Sequence, residues 1–144
     1  MSRIFLDSNV LVPLFMQSDP NHKTVSEWIK EKIQENEFSV SPQVIAETYA
    51  TITSHTKFKN PLSASQAKTG LLAFLSAKEI SLVPIGINAI EHSLKAADET
   101  GKKARQFFDL LIWGTMIEHR IKLLATFNTR DFHNLPGIKL ILPG

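Results

Sequence analysis

Arg3 to Leu6 is a short run of strand-forming residues that stops abruptly at the carboxylate of Asp7. Ser8, Asn9 and a second apolar run, Val10 to Met16, follow at once. Strand, acid, helix cap and helix, in that order, is how an open α/β sheet presents chemistry. Its ligands gather outside the carboxyl ends of the strands, where the strand order reverses. The motif therefore predicts that Arg3–Leu6 is the central strand and that Asp7 lies on the functional rim. Ser8 and Asn9 are candidate caps of the first helix, and Pro13 is expected in its first turn, where a missing N–H does no harm.

The remaining chain alternates helix and strand. Pro20 suits the first turn of a helix whose inward residues are Val25, Trp28, Ile29 and Ile33. A strand at 37–40 precedes a helix that Ser41 caps and that runs through Ile52. After the basic connection 55–61, Ser63 is expected to cap a helix to Leu75, with Leu71, Leu72, Phe74 and Leu75 inside. A strand at 80–85 and a helix at 87–99 follow. The basic turn Gly101-Lys102-Lys103 leads into an almost wholly apolar helix, 105–119. Strands at 122–126 and 138–142 close the chain, with a turn at 128–132 between them. Such alternation predicts an α/β fold with a mostly parallel sheet of about five strands, covered on both faces.

A chain of 144 residues with 43% hydrophobic and 21% charged content suits one domain spanning 1–144, with a packed core. The absence of cysteine rules out a disulfide scaffold, a thiolate zinc site and a cysteine nucleophile. There is no signal-like segment and no apolar run long enough to span a bilayer, so a cytoplasmic protein without membrane contact is expected. The net charge of +2, from 16 basic and 14 acidic residues, says little unless several acids share one pocket.

Four acids stand among residues that belong inside: Asp7, Glu47, Asp109 and Asp131. A carboxylate buried without a partner costs several kcal/mol, so such groups are usually paired or bound to a cation. Two follow strand ends and two lie in early helical turns, so all four can converge on one rim of a parallel sheet. Each also has an ordinary explanation. Asp7 and Asp131 could be caps, Glu47 an exposed helical acid, and Asp109 a group facing the positive end of its own helix. Together they point to a single anionic site.

The segments Phe5-Leu6-Asp7-Ser8-Asn9-Val10-Leu11, Ser41-Pro42-Gln43-Val44-Ile45-Ala46-Glu47, Phe108-Asp109-Leu110-Leu111-Ile112 and Leu124 to Phe132 carry a resemblance. In this order they resemble PIN-domain ribonucleases, specifically the small VapC-type toxins of toxin–antitoxin pairs, nearly end to end. The resemblance implies a PIN-like three-layer sandwich. Asp7, Glu47 and Asp109 match the three principal acids and Asp131 the more variable fourth. Ser8 and Thr126 match hydroxyl positions that support the metal shell, alongside Asn9. Many relatives carry an acid where Asn128 stands, so either Asn128 or Asp131 completes the site. Trp113-Gly114 departs from the small alanine-like residues usual after the third acid. The implied partners are an RNA substrate, a cognate antitoxin whose tail covers the groove, and a second copy in a homodimer.

An oxygen-only ligand set suits a hard cation, Mg²⁺ or Mn²⁺, rather than zinc. Asp7 and Asp109 are the expected metal ligands. Glu47 either binds metal or orients the attacking water, and Asp131 serves a second ion or an outer water. Arg105 and Arg130, each near a site acid in sequence, are the first candidates for RNA phosphate. Lys57, Lys59, Lys102 and Lys103 come next, with Phe58 available to stack on a base. The five histidines form no metal-ligand spacing. A phosphoaspartyl phosphatase would want a second acid where Asn9 stands, and a receiver domain would want an acidic pair and a late lysine. The remaining competitor is a PIN-like module that binds RNA or protein without cutting it.

Overall fold

The computed structural model describes residues 2–144. Its five strands are β1 (Ser2–Leu6), β2 (Asn36–Val40), β3 (Ile80–Leu82), β4 (Leu123–Ala125) and β5 (Lys139–Ile141). They form one sheet in the order β3-β2-β1-β4-β5, with every pairing parallel. Among the described residues the helices are α1 (Ser8–Phe15), α2 (His22–Lys32), α3 (Pro42–Ile52), α4 (Ala64–Ser76), α5 (Ile87–Thr100), α6 (Gln106–Glu118) and the short α7 (Thr129–Phe132). As the opening motif predicts, β1 is central. The chain moves from β1 to β2 on one side and later returns to β4 on the other, which puts the topological switch at the β1–β4 crevice.

Side chains alternate between faces along a strand. Ile4, Phe5 and Leu6 are all buried, as are Phe38, Ser39 and Val40 of β2, so helices cover both faces of the sheet. This is the three-layer arrangement expected. The main core joins β1, β2 and β4 to Val10, Leu11, Val25, Trp28, Leu110, Ile112 and Met116. A second cluster under the α3–α4 connection holds Val12, Met16, Ile52, Ala67 and Leu71.

Several local expectations are corrected. The cap of α1 is Asp7 itself, whose Oδ1 accepts from Ser8 N at 2.7 Å, while Ser8 is already helical. Pro13 is the sixth residue of α1, beyond the first turn. It cannot donate to the Asn9 carbonyl, and the helix ends soon after, at Phe15. Pro20 lies outside α2, which begins after Asn21. Leu72 is 59% exposed, because Ala67 and Leu71, four apart, define the buried face of α4 and Leu72 falls well off it. The third strand stops at Leu82, and 129–132 is a helical turn. Phe58 packs half-buried on the second cluster and is not free to stack on a base.

Two helix ends fix how α6 is set. Glu118, at its last turn, accepts from Gly86 N (3.0 Å) and Ala89 N (3.2 Å), and so caps the start of α5 from across the interface. Gly114 lets the two helices touch: a Cβ there would stand 2.5 Å from the Ala89 carbonyl oxygen and would collide with Ser93 Oγ. Trp113-Gly114 is therefore a packing device. The Ser93 hydroxyl it accommodates donates to the Ala89 carbonyl (2.6 Å) and lies 3.0 Å from the Leu110 carbonyl. This seating fixes the rotation of α6, and with it the direction of Asp109 one turn earlier.

Candidate active site

Asp7 leaves β1 at the carboxyl edge of the sheet, and its N–H still donates to the Ala125 carbonyl of β4 (3.1 Å). Its carboxylate is 5% exposed. Oδ2 accepts from the Thr126 hydroxyl at 2.9 Å, so the residue just past β4 holds the acid that ends β1. Asn9 braces the same crevice. Its Nδ2 donates to Thr126 Oγ1 (3.2 Å) and its Oδ1 accepts from Phe127 N (3.2 Å). Asn128 N also donates to Thr126 Oγ1 (2.9 Å). Ser8, Asn9 and Thr126 thus form one network around Asp7.

Glu47 comes from the middle of α3, which Ser41 starts by accepting from Val44 N, with Pro42 in its first turn. Gln43, one turn earlier, donates through Nε2 to the Phe108 carbonyl (2.9 Å) and to Glu47 Oε1 (3.4 Å). One amide thereby ties α3 to the start of α6 and orients the acid. Asp109 lies in the first turn of α6. Asp131 is held by the Asn128 amide, whose Nδ2 donates to its Oδ2 at 2.8 Å. Asn128 and Asp131 are thus joined side chain to side chain, and the Asp131 charge acts on Asp109.

The acids feel one another. Burial pushes the Asp7 carboxyl above its usual range, against the pull of Thr126 and Ser8. Burial also raises Glu47, and the charges of Asp7 and Asp109 add to it, while Gln43 and Arg105 oppose. Asp109 is raised to about 6 by burial, by Asp7 and by Asp131, with Lys102 opposing. Four carboxylates from β1, α3, α6 and α7 therefore share one anionic field.

Two cations bear on this field. Arg105 acts on Glu47. Lys102 is held near the acids, its Nζ donating to the Asp131 carbonyl (3.2 Å). Arg130 is exposed, and only its carbonyl is engaged, by His133. The α5–α6 connection aims these residues through two left-handed positions, Gly101 (φ 72°) and Ala104 (φ 54°). Gln43 had a readable signal, its i,i+4 spacing to Glu47. The preference for Lys102 had none.

The donor set fits a hard cation. It contains only oxygen, and the ion pairs among the described residues, Glu31–Lys32 and Glu118–His119, involve none of the four acids. Among the described residues, no three acid or histidine side chains stand close enough to make a ready metal cage. Elsewhere, a cavity of about 410 Å³ lined by Arg3, Arg120 and Lys122 opens at the opposite, amino-terminal end of β1 and β4, away from this chemistry. No helix among the described residues is long and apolar enough to cross a membrane.

Comparison with known proteins agrees with this geometry. The PIN-domain family pattern matches residues 4–138. Ribonuclease VapC6 of Methanocaldococcus jannaschii is 28% identical over 152 aligned positions, covering 97% of both chains. In fold, the chain is similar to VapC20 of Mycobacterium tuberculosis, described as a toxin cleaving the sarcin–ricin loop. That match has a TM-score of 0.71 at 15% identity and covers 90% of this chain and 93% of the other. It is also similar to VapBC2 of Rickettsia felis bound to a promoter DNA fragment, with a TM-score of 0.70 at 19% identity, covering 96% and 97%. A toxin–antitoxin complex from Klebsiella pneumoniae matches with a TM-score of 0.67 at 20% identity, covering 98% of each chain.

Proposed function

Since the chain belongs to the PIN-domain family, we propose that it is a metal-dependent endoribonuclease, the toxin of a toxin–antitoxin pair, acting as a single domain over residues 1–144. The observation that carries this reading is the shared anionic field of Asp7, Glu47, Asp109 and Asp131 at the switch point of the sheet, which no ion pair among the described residues neutralises.

Asp7 and Asp109 are the residues to hold Mg²⁺ or Mn²⁺, with Asp131 available to a second ion or an outer water. When bound, such an ion polarises phosphoryl oxygens and makes water more acidic, the standard contribution of hard cations to phosphodiester hydrolysis. The chain's own groups do the rest. Asp7, fixed by Thr126 and by Ser8 N, is the rigid ligand. Glu47 is half-buried with a raised pKa and is steadied by Gln43, which suits it to accept a proton from the attacking water. The water oxygen bonds to phosphorus, the P–O bond to the leaving ribose oxygen breaks, and that oxygen takes up a proton. Arg105 and Lys102 meet the phosphates on either side of the acids.

Cleavage of RNA that needs Mg²⁺ or Mn²⁺, stops with EDTA and is lost in Asp7→Asn and Asp109→Asn proteins is the expected result. Variants that cut as well as the parent would refute the assignment. The second reading, a module that binds RNA or protein without cutting, draws on the spread of the acids. RNA retained by the parent without cleavage at any divalent ion concentration would favour it. The partner set proposed is an RNA substrate, a cognate antitoxin and a second copy of the chain, in a cytoplasmic setting. The resemblance in fold to toxin–antitoxin complexes supports the antitoxin.

A further inference from the structure

A groove of about 370 Å³ begins at Ser8 and Asn9, beside Asp7, and runs between α1, α3 and the loop ahead of α2. Its apolar lining is Val12, Pro13 and Phe127, of which Val12 and Pro13 are buried and Phe127 half-buried. Its outer wall carries Asp19, Asn21, Thr51 and Lys57. The wall is preformed, because His22 Nδ1 donates to the Pro13 carbonyl (2.8 Å) and so pins the loop of Asp19 and Asn21 to α1. Asp19 Oδ1 accepts from Asn21 N (2.8 Å). No ion pair among the described residues neutralises the Asp19 carboxylate. Asn21 stands at the N-cap of α2, yet its side chain makes no capping bond. A free amide, a free carboxylate oxygen and an apolar lining that includes the half-exposed Phe127 ring therefore share one recess beside Ser8 and Asn9.

We propose that this groove takes the unpaired base adjoining the scissile phosphate, and that Asp19 and Asn21 select guanine there. The inference rests on the nuclease reading of the neighbouring acids. Guanine presents adjacent N1–H and N2–H donors, which a carboxylate accepts together, and its carbonyl edge suits an amide donor. A base splayed from a single strand, laid on apolar side chains and read along its pairing edge, is the usual mode of sequence-specific RNA recognition. Lys57, at the outer mouth, meets the next phosphate as a point charge.

The test is cleavage, with Mg²⁺ or Mn²⁺, of a set of single-stranded oligonucleotides that differ only in the base on one or the other side of one cut. The parent is expected to favour guanine at one of these positions by about tenfold or more in kcat/KM. Asp19→Asn and, separately, the exposed Asn21→Ala are expected to flatten that ratio. Lys57→Ala is expected to raise KM for every oligonucleotide alike. No base preference, a preference for another base, or a guanine preference that both Asp19→Asn and Asn21→Ala retain would overturn the proposal while leaving the nuclease standing. Anisotropy of the same labelled oligonucleotides on Asp109→Asn protein separates the two claims. If the parent never cleaves, guanine-selective binding lost on adding Asp19→Asn still supports the groove, and unselective binding removes it.

Discussion

Asp109→Asn gives the sharpest test, because it should damage activity and improve stability at once. The folded chain holds the Asp109 proton up to a pKa of about 6, against 3.8 for the free group. Between those values the folded state binds more protons than the unfolded chain, so metal-free stability falls as pH rises through that window and stays lower above it. Burial raises Asp7 and Glu47 in the same sense, and they add to the trend. A shift of about two units corresponds to about 3 kcal/mol at most, and partial exposure of the group in screening solvent cuts this to about 1–1.5 kcal/mol. For a chain of this size that is a rise in Tm of about 3–6 °C. Thermal unfolding followed by circular dichroism, in EDTA at pH 8, should show Asp109→Asn melting above the parent, and the gap should close near pH 4. Adding Mg²⁺ or Mn²⁺ should stabilise the parent more than the variant, by mass action on the folded state. A variant that melts with or below the parent at pH 8 would refute the shared anionic field, whatever the cleavage assay gives.

Thr126→Val should leave the buried Asp7 carboxylate short of a donor, costing about 1–3 kcal/mol in chemical denaturation; an unchanged denaturation midpoint would count against the network at the β1–β4 crevice. Gly114→Ala should lower stability by about 1–3 kcal/mol through collision with α5, and adding Ser93→Ala should recover part of the loss, since Ser93 Oγ is one of the atoms met. Glu118→Ala should cost about 0.5–2 kcal/mol, the range for losing a helix cap, with faster amide exchange at Gly86 and Ala89 as the local sign. Gln43→Leu should lower kcat by freeing Glu47 and, because the Gln43 amide holds the Glu47 pKa down, should steepen the fall of metal-free stability with pH; an unchanged kcat would count against the tie.

The strand-then-acid signal at Arg3–Asp7 is local chemistry, and it sufficed to place β1 at the centre and Asp7 on the rim. The 3.6-residue pattern of Val25, Trp28 and Ile29 likewise set the inner face of α2, because burial of one stripe is decided within a helix. The four acids stood out for a related reason: carboxylates among apolar neighbours are costly wherever they fold, and in the structure the charges of Asp7, Asp109 and Asp131 act on neighbouring members of the set. What the sequence could not supply was distance. That Asn128 and Asp131 are hydrogen-bonded to each other depended on an amide reaching a carboxylate across a short helical turn. That Lys102 Nζ reaches the Asp131 carbonyl depends on how the α5–α6 connection meets α7, a contact between segments 29 residues apart. Phe58, polar in its surroundings along the chain, turned inward because the α3–α4 connection folds over a second core. Gly114 looked like a departure until α5 lay against it. Periodicity and residue chemistry determine which elements form and which groups are too costly to bury alone. The choice of neighbours is made when helices and strands distant in sequence close on one another, since packing and hydrogen bonding act through space.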